Sequence, residues 1–495
     1  VQLLELNQAQ RQQLRIVLLY EQRTQRAKQQ TVHLQLLYLT VRQEEDNLTR
    51  MASTYLTRTM SQNSNQRVFT LSVWLKRASL GRHVIMGVGG SGNYAMELYF
   101  QSGDQIDWWN YFNGSYAGRK VTNRKFRDTN AWYHIVARWD TTDSTAGNRM
   151  RLYVNGVEET SFSTDSDPSQ NTTSEWNSAS AHEIGRNGNS SYCFDGVMSH
   201  IHFVDGSSLA PSVFGSTDST TGEWKINTSP SFTPGSNGFT ILKDGNTITD
   251  QSANSNDFTL SAGTLTKSED NPSNSFAIGN RLIGRHSNGN YLQPDWSNAS
   301  LTANANGSAW RIFKSTLAAS SGKYYAEFKW VSDSNTRYAY VGIYDEDDYA
   351  RKASGYPYLN DMANGHAYYS ENGNYYTNNT NTSFGSAFSS TGDGIVGVAM
   401  DLDNSKVYWS SNGSWQGGGD PSNGTGGKSI TANKLYSFGL SLYSVGSIVY
   451  SANFGNGYFG TTAVSSAGTN ASGNGIFEYD VPTGFTALST KGLNL

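Results

Sequence analysis

From about residue 65 onward, apolar side chains recur at every second position in short runs. Gly, Asn, Ser and Thr separate these runs, and no segment of helical spacing intervenes. In VFTLSVWLKR (68–77), Phe69, Leu71, Val73 and Leu75 share one side, while Thr70, Ser72, Trp74 and Lys76 take the other. That alternation predicts a half-buried strand. WYHIVARWD (132–140) repeats it, and RMRLYVNGVEE (149–159) sets Asn155-Gly156 between two apolar stretches. This dipeptide accepts the positive φ angles of a tight hairpin. Further strands are expected at HEIGR (182–186) and FDGVMSHIHFVDG (194–206). A succession of this kind implies antiparallel sheets packed as a sandwich.

At 495 residues the chain is longer than one hydrophobic core usually serves, so two or three domains are expected. Only 36% of positions are apolar and 16% charged, with 50 Gly and 29 Tyr, which disfavours helical bundles and rods. Lys and Arg number 37 against 41 Asp and Glu, leaving no excess of cations to neutralise phosphates; nucleic acid is not an expected partner. The single cysteine, Cys193, excludes an intrachain disulfide framework and a multi-cysteine metal site. Apolar runs fall far short of a bilayer span and no leader of the secretory kind opens the chain, so neither membrane insertion nor export is expected.

Residues 1–50 differ in kind. They hold no Gly or Pro, and Leu14, Leu18 and Glu21, then Val32, Leu36 and Leu39, fall at helical spacing. Two readings stand: an attachment or oligomerising helix, or a stretch upstream of a natural start at Met51.

The strands just named, with LYVNG as their hairpin and FDGVMSHIHFVDG as the last of them, resemble the laminin-G-like, concanavalin-A-like jelly roll over residues 51–215. The resemblance is to the copy found in phage and marine-virus tail-fibre proteins. Residues 216–288 are rich in turns, yet Phe232, Phe239, Ile241, Leu242, Phe258 and Phe276 are too many large apolar groups for a solvated tether. A docked connector module is expected there. From 289 to 495, GKYYAEFKW, RYAYVGIYD, GDGIVGVAMDLDN, KVYWSSNG, YSFGLSLY and IVYSANFGNGYF follow in an order that resembles the SPRY domain, another concanavalin-A-like sandwich. Tyr408-Trp409 stands where that family usually has a Phe-rich hairpin. The expected fold is therefore all-β: two antiparallel sandwiches joined by an irregular connector, with a short helical N-terminal extension.

Catalytic and metal patterns are weak. The Glu-x-Asp-x-x-Glu strand that sets three acids on one side in hydrolases of this architecture does not occur, nor does a Gly-x-Ser-x-Gly or His-Glu-x-x-His string. The contiguous acids Asp345-Glu346-Asp347-Asp348 suit a solvated turn. Asp401-Leu402-Asp403-Asn404 lacks the bidentate Glu that calcium prefers, and His200 with His202 lacks a nearby third ligand. No cofactor or metal is expected.

Aromatic surface is what rises above background. In QIDWWNYF (105–112, with Gln105 leading), Ile106, Trp108 and Phe112 are assigned to the core, which sends Asp107, Trp109 and Tyr111 outward. A sugar's apolar face could stack on the two rings while its hydroxyls bond Asp107 or Asn110. Tyr356, Tyr358, Tyr368, Tyr369, Tyr375 and Tyr376 lie in a stretch otherwise made of Gly, Asn, Ser and Thr, the composition of recognition loops, although half of them are expected to serve packing. The viral resemblance implies a non-enzymatic tail-fibre or tail-associated adhesin. Such a protein is made in a bacterial cytoplasm, carried on the virion beside other tail proteins, and binds a host-surface glycan or protein. Fibres of this kind are typically trimers, which makes a homotrimer an expectation of the resemblance alone. A ligand-free structural virion component, a secreted lectin and a polysaccharide depolymerase are the competing expectations.

Overall fold

The strand Val68–Arg77 organises the first half of the chain: its register with Trp132–Asp140 on one side and Gly196–Asp205 on the other makes it central in a six-stranded sheet. The structure is a computed structural model that describes residues 54–494 except 92, 189–191, 244–246, 284–292, 307–309, 334–337, 352–357, 388–393 and 445. The helix expected over residues 1–50 lies outside the described residues. The all-β expectation holds, and among the described residues no helix is long and apolar enough to cross a membrane.

The six-stranded sheet faces an eight-stranded one running from Phe162–Ser166 through Ser115–Lys125, Gln105–Phe112, Tyr94–Phe100, His83–Ser91 and Ala181–Ile184 to Tyr55–Thr59 and Thr259–Ala262. Between them lie Phe69, Leu71, Val73, Leu98, Trp108, Ile135 and Trp139, all fully buried. Asn155 and Gly156 take φ of 49° and 78° in the hairpin between Met150–Val154 and Val157–Glu158, as the dipeptide requires.

Connector residues complete this sandwich. Phe239–Ile241 pairs with Gly196–Asp205 in one sheet, and Thr259–Ala262 pairs with Tyr55–Thr59 in the other. Phe239, Ile241, Leu242 and Phe258 enter the core. Phe232 packs over Phe214 on the far side of the six-stranded sheet. There too the Trp224 indole stacks on His134, which stacks on Trp74. Strand 68–77 is thus covered on both sides rather than half-buried, which corrects the expectation drawn from alternation. Desolvation under this cover lowers the His134 pKa to about 3, so the ring is neutral and accepts the Trp224 indole N–H at 2.9 Å.

The second half repeats the plan with a nine-stranded and a six-stranded sheet. Val396, Val398, Met400 and Leu402 form one buried stripe. The acids 345–348 do not form a solvated turn. Asp345 is buried, and Glu346–Arg351 is a short helix whose first turn holds three of the four acids. The Lys434 ammonium lies 3.3 Å from Asp345.

One buried ion pair ties the two halves. The Lys76 ammonium lies 2.8 Å from Asp270 Oδ2 and also donates to Ser275 Oγ and the Phe276 carbonyl, at 2.9 and 2.7 Å. Asp270 in turn accepts the Trp132 indole N–H at 3.0 Å. Arg281 to Asp195 (2.9 Å) and the Ser300 hydroxyl to the Ala78 carbonyl (3.0 Å) extend the junction. Asp270→Ala would strand a buried ammonium, and a loss of about 3–5 kcal/mol in unfolding free energy is expected by chemical denaturation.

A second buried carboxylate, Glu327, holds the C-terminal segment. It accepts the backbone N–H groups of Glu478 and Tyr479 at 2.9 and 2.8 Å. Burial nevertheless raises its pKa to about 7. The raised value means the folded state holds the proton more tightly, so this contribution is full below about pH 4.5 and is lost as pH rises through about 7. Glu327→Gln should therefore gain on the wild type by up to ~3 kcal/mol between pH 5 and 8. Taking the difference cancels the opposite trend of the buried histidines, and denaturation of both proteins at each pH measures it.

Candidate functional site

On the outer side of the eight-stranded sheet, pairing register aligns one row across six strands: Thr57, Glu183, Gly87, Glu97, Trp109 and Arg119. Tyr99 and Asp107 pair in the next row on that side, and Ala95 and Tyr111 in the row beyond Glu97 and Trp109. Trp109, Tyr111 and Tyr116 meet edge to face, with centroids 6.5, 5.9 and 5.2 Å apart. Tyr116 is 52% exposed, and the Arg119 guanidinium lies 4.9 Å from its ring centre. Trp109 and Tyr111 are half-buried beneath it.

Asp107 points outward as expected but is not available to a ligand. It is fully buried and accepts from Arg119 Nε and Nη2 (3.1 and 2.7 Å), the Tyr99 hydroxyl (2.7 Å) and Gln101 (2.7 Å). A carboxylate wedged among large rings needs such partners to replace its lost hydration. Burial, helped by the bond to Asp107, pushes the Tyr99 pKa upward, and the bond to Asp107 does the same for Arg119. Asn110 also departs from the expectation of sugar bonding. It lies two residues from Trp108 on the inner side, is buried, and is bonded to the Thr173 carbonyl and Glu175 N–H at 3.1 and 3.2 Å. Phe112, assigned to the core, is half-buried at the sheet end, where Tyr94 meets it edge to face at 5.2 Å.

The tyrosines of the second half divide by the same period of two. Tyr368 and Tyr375 face inward, 0% and 8% exposed, and belong to the core; the Tyr368 hydroxyl donates to the Ser386 carbonyl, and Tyr375 shares a hydrogen bond with His366 at 2.6 Å. Their placement in a recognition loop is therefore corrected. Tyr369 and Tyr376 face outward with Tyr358, joined by Trp310, Tyr338, Tyr340 and Tyr443. Trp310, Tyr340, Tyr369 and Tyr338 form a rib of near-parallel rings, with interplanar angles of 22°, 23° and 4° between successive members. The Tyr369 hydroxyl donates to Glu371 at 2.7 Å. Tyr356 lies outside the described residues.

The weaker metal patterns find no support. Asp401 is taken up by Asn404 and Lys323, and His202 by Thr240 and Phe214. Among the described residues no three His, Cys, Asp or Glu converge.

Residues 50–213 match the family model Laminin_G_3, the concanavalin A-like lectin/glucanases superfamily. No curated protein matches the chain. Among solved structures it is similar to a SAP-like pentraxin from Limulus polyphemus, 17% identical over 32% of this chain and 71% of that one, with a TM-score of 0.24. The SPRY domain of human HERC1 is 15% identical over 31% of this chain and 87% of that one, also at 0.24. Domain 4 of the arabinanase AbnA from Geobacillus stearothermophilus, solved with arabinotriose, is 20% identical over 30% and 65%, at 0.23.

Sequence reasoning missed Tyr116, Arg119 and Glu97. Asn113-Gly114, both at positive φ, turns the chain so that Tyr116 pairs with Tyr111. That Asn-Gly was a readable hairpin signal. Asp107→Ala should lower stability by roughly 3 kcal/mol, because Arg119, Tyr99 and Gln101 lose a shared acceptor. Tyr116→Ala should stay within about 0.5 kcal/mol. Thermal and denaturant unfolding of the two variants separates the supporting group from the displayed one.

Proposed function

We propose that this chain is a non-catalytic attachment protein of a viral particle, recognising a host-surface glycan or protein through aromatic side chains displayed on its sandwiches. The observation that carries the binding half is the cluster of Trp109, Tyr111 and half-exposed Tyr116, fixed in place by the Asp107–Arg119 pair. Rings held at fixed angles beside a guanidinium suit the apolar face and hydroxyls of a sugar. The family match over residues 50–213 supports a binding sandwich, while the virion location rests on the sequence resemblance. Neighbouring tail proteins and two further copies of the chain are the partners this reading names.

Affinity per site is expected to be weak, about 1 mM to 1 µM, with repeated copies on a particle multiplying it. Trp109→Ala and Tyr116→Ala should each weaken binding to susceptible cells by about threefold to tenfold. Inert variants would favour a structural virion component instead. Blocking of particle adsorption by the purified protein tests the virion half.

Hydrolysis is the second reading, because the superfamily includes glucanases and because Glu97 and Glu183 share one row of the sheet. Burial raises the Glu97 pKa, the condition a general acid needs. Release of reducing ends from a polysaccharide panel would favour it over simple attachment.

A further inference from the structure

Beside the aromatic cluster the outer side of the eight-stranded sheet carries a patch of paired charges. Gly87, Gly89 and Ala95, positions with little or no side chain on the strands His83–Ser91 and Tyr94–Phe100, leave room there for Asn187. Asn187 lies over the two glycines: a Cβ on Gly87 would lie 2.6 Å from the Cβ of Asn187, and one on Gly89 3.3 Å from its Oδ1. Trp109 and Tyr111 pair with Glu97 and Ala95 on the neighbouring strand.

Glu97 lies in this patch, 1% exposed. Its Oε2 accepts from the Asn187 amide at 3.2 Å, while Oε1 has no hydrogen-bond partner among the described residues. Arg82 is the cover. Its guanidinium sits 3.5 Å from Oε1 and rests on the rings of Tyr99 and Tyr192, 4.8 and 4.5 Å from their centres. Its side chain is 36% exposed, and its Nε likewise lacks a hydrogen-bond partner. Further along the row Glu183 pairs with Arg186 at 3.5 Å, and Glu183 Oε2 and Arg186 Nε repeat the same unmet valences. Acceptors and donors left unmet side by side are what a polyhydroxylated ligand supplies with partners.

We propose that this patch reads the hydroxyl groups of the bound glycan, with Glu97 as acceptor once Arg82 swings aside, and that it selects an uncharged glycan over one bearing uronate or sialate groups. The inference rests on the carbohydrate-binding reading above and names its ligand class. The selectivity follows from charge pairing. Arg82, Arg119 and Arg186 each face a carboxylate, Glu97, Asp107 and Glu183 respectively, so the three pairs together are formally neutral. An arriving carboxylate must draw a guanidinium from its partner and leave a buried anion uncompensated, whereas a hydroxyl donates to Glu97 without separating charge.

The test is binding of the full chain to immobilised neutral polysaccharides (dextran, mannan, galactan) and acidic ones (polygalacturonate, alginate, polysialate). Wild type, Glu97→Gln and Tyr116→Ala are compared, with folding checked by circular dichroism. The wild type should hold at least one neutral glycan tenfold or more tighter than any acidic one. Glu97→Gln should weaken that binding about tenfold. Preference for an acidic glycan, or undiminished neutral binding by folded Glu97→Gln, overturns the inference and leaves the broader reading standing if Tyr116→Ala still weakens binding. Failure of the wild type to bind either class overturns the inference together with the glycan half of the reading, leaving a protein receptor. The wild-type preference decides the matter even if Glu97→Gln does not fold.

Discussion

An ammonium group sealed inside a protein survives only if all its hydrogen-bond donors are met, and Lys76 meets this demand with a carboxylate, a hydroxyl and a carbonyl. Burial pulls its pKa down, while Asp270 and, to a lesser extent, Asp128 pull it up. All three partners come from residues 270–276, the stretch leading into the second sandwich. The pair thus decides where the chain leaves the first core and enters the next. Asp270 is held in turn by the Trp132 indole, on the strand beside Lys76.

That closure determines which surface is left for function. Trp224, Phe214 and Phe232 lie over the six-stranded sheet of the first sandwich, so the side of strand 68–77 that carries Thr70, Ser72 and Trp74 is dry. The opposite sheet keeps its outer side for Trp109, Tyr116, Arg82 and Arg119. Buried charge is handled differently at the two places. Lys76 and Asp270 satisfy each other with hydrogen bonds, whereas Arg82 and Glu97 sit at ion-pair distance with atoms unmet. A junction that must not move uses the first arrangement, and a site that must exchange partners is better served by the second.

The strands themselves were legible because a pleated chain has a period of two, and segments 68–77 and 132–140 start and stop where alternation does. The same period would have separated Tyr368 from Tyr369 and Tyr375 from Tyr376, and placed Asn110 with Trp108. Grouping these residues by composition obscured that. What alternation cannot carry is what covers a sheet. His134 is dry because of Trp224, 90 positions away in the chain, and Asp107 is unavailable because of Arg119, which reaches it across a ladder with two register shifts. Bulges of this kind move partners by one residue and leave no mark in the hydrophobic pattern.

The two aromatic surfaces differ in what they present. In the second sandwich, Trp310, Tyr340, Tyr369 and Tyr338 turn their faces toward one another, with Tyr340 and Tyr369 only 7% and 6% exposed. Faces engaged in a stack are not free for a sugar, so that rib offers edges and phenol hydroxyls and stiffens the sheet beneath it. In the first sandwich the three rings meet edge to face, an arrangement that leaves at least one face uncovered. Tyr116, more than half exposed, is the ring with most surface to give, and its neighbours Trp109 and Arg119 belong to the same row as Glu97. Stacking surface and hydroxyl-reading groups therefore meet at one place, on paired strands rather than on a loop, where little conformational entropy remains to be lost on binding.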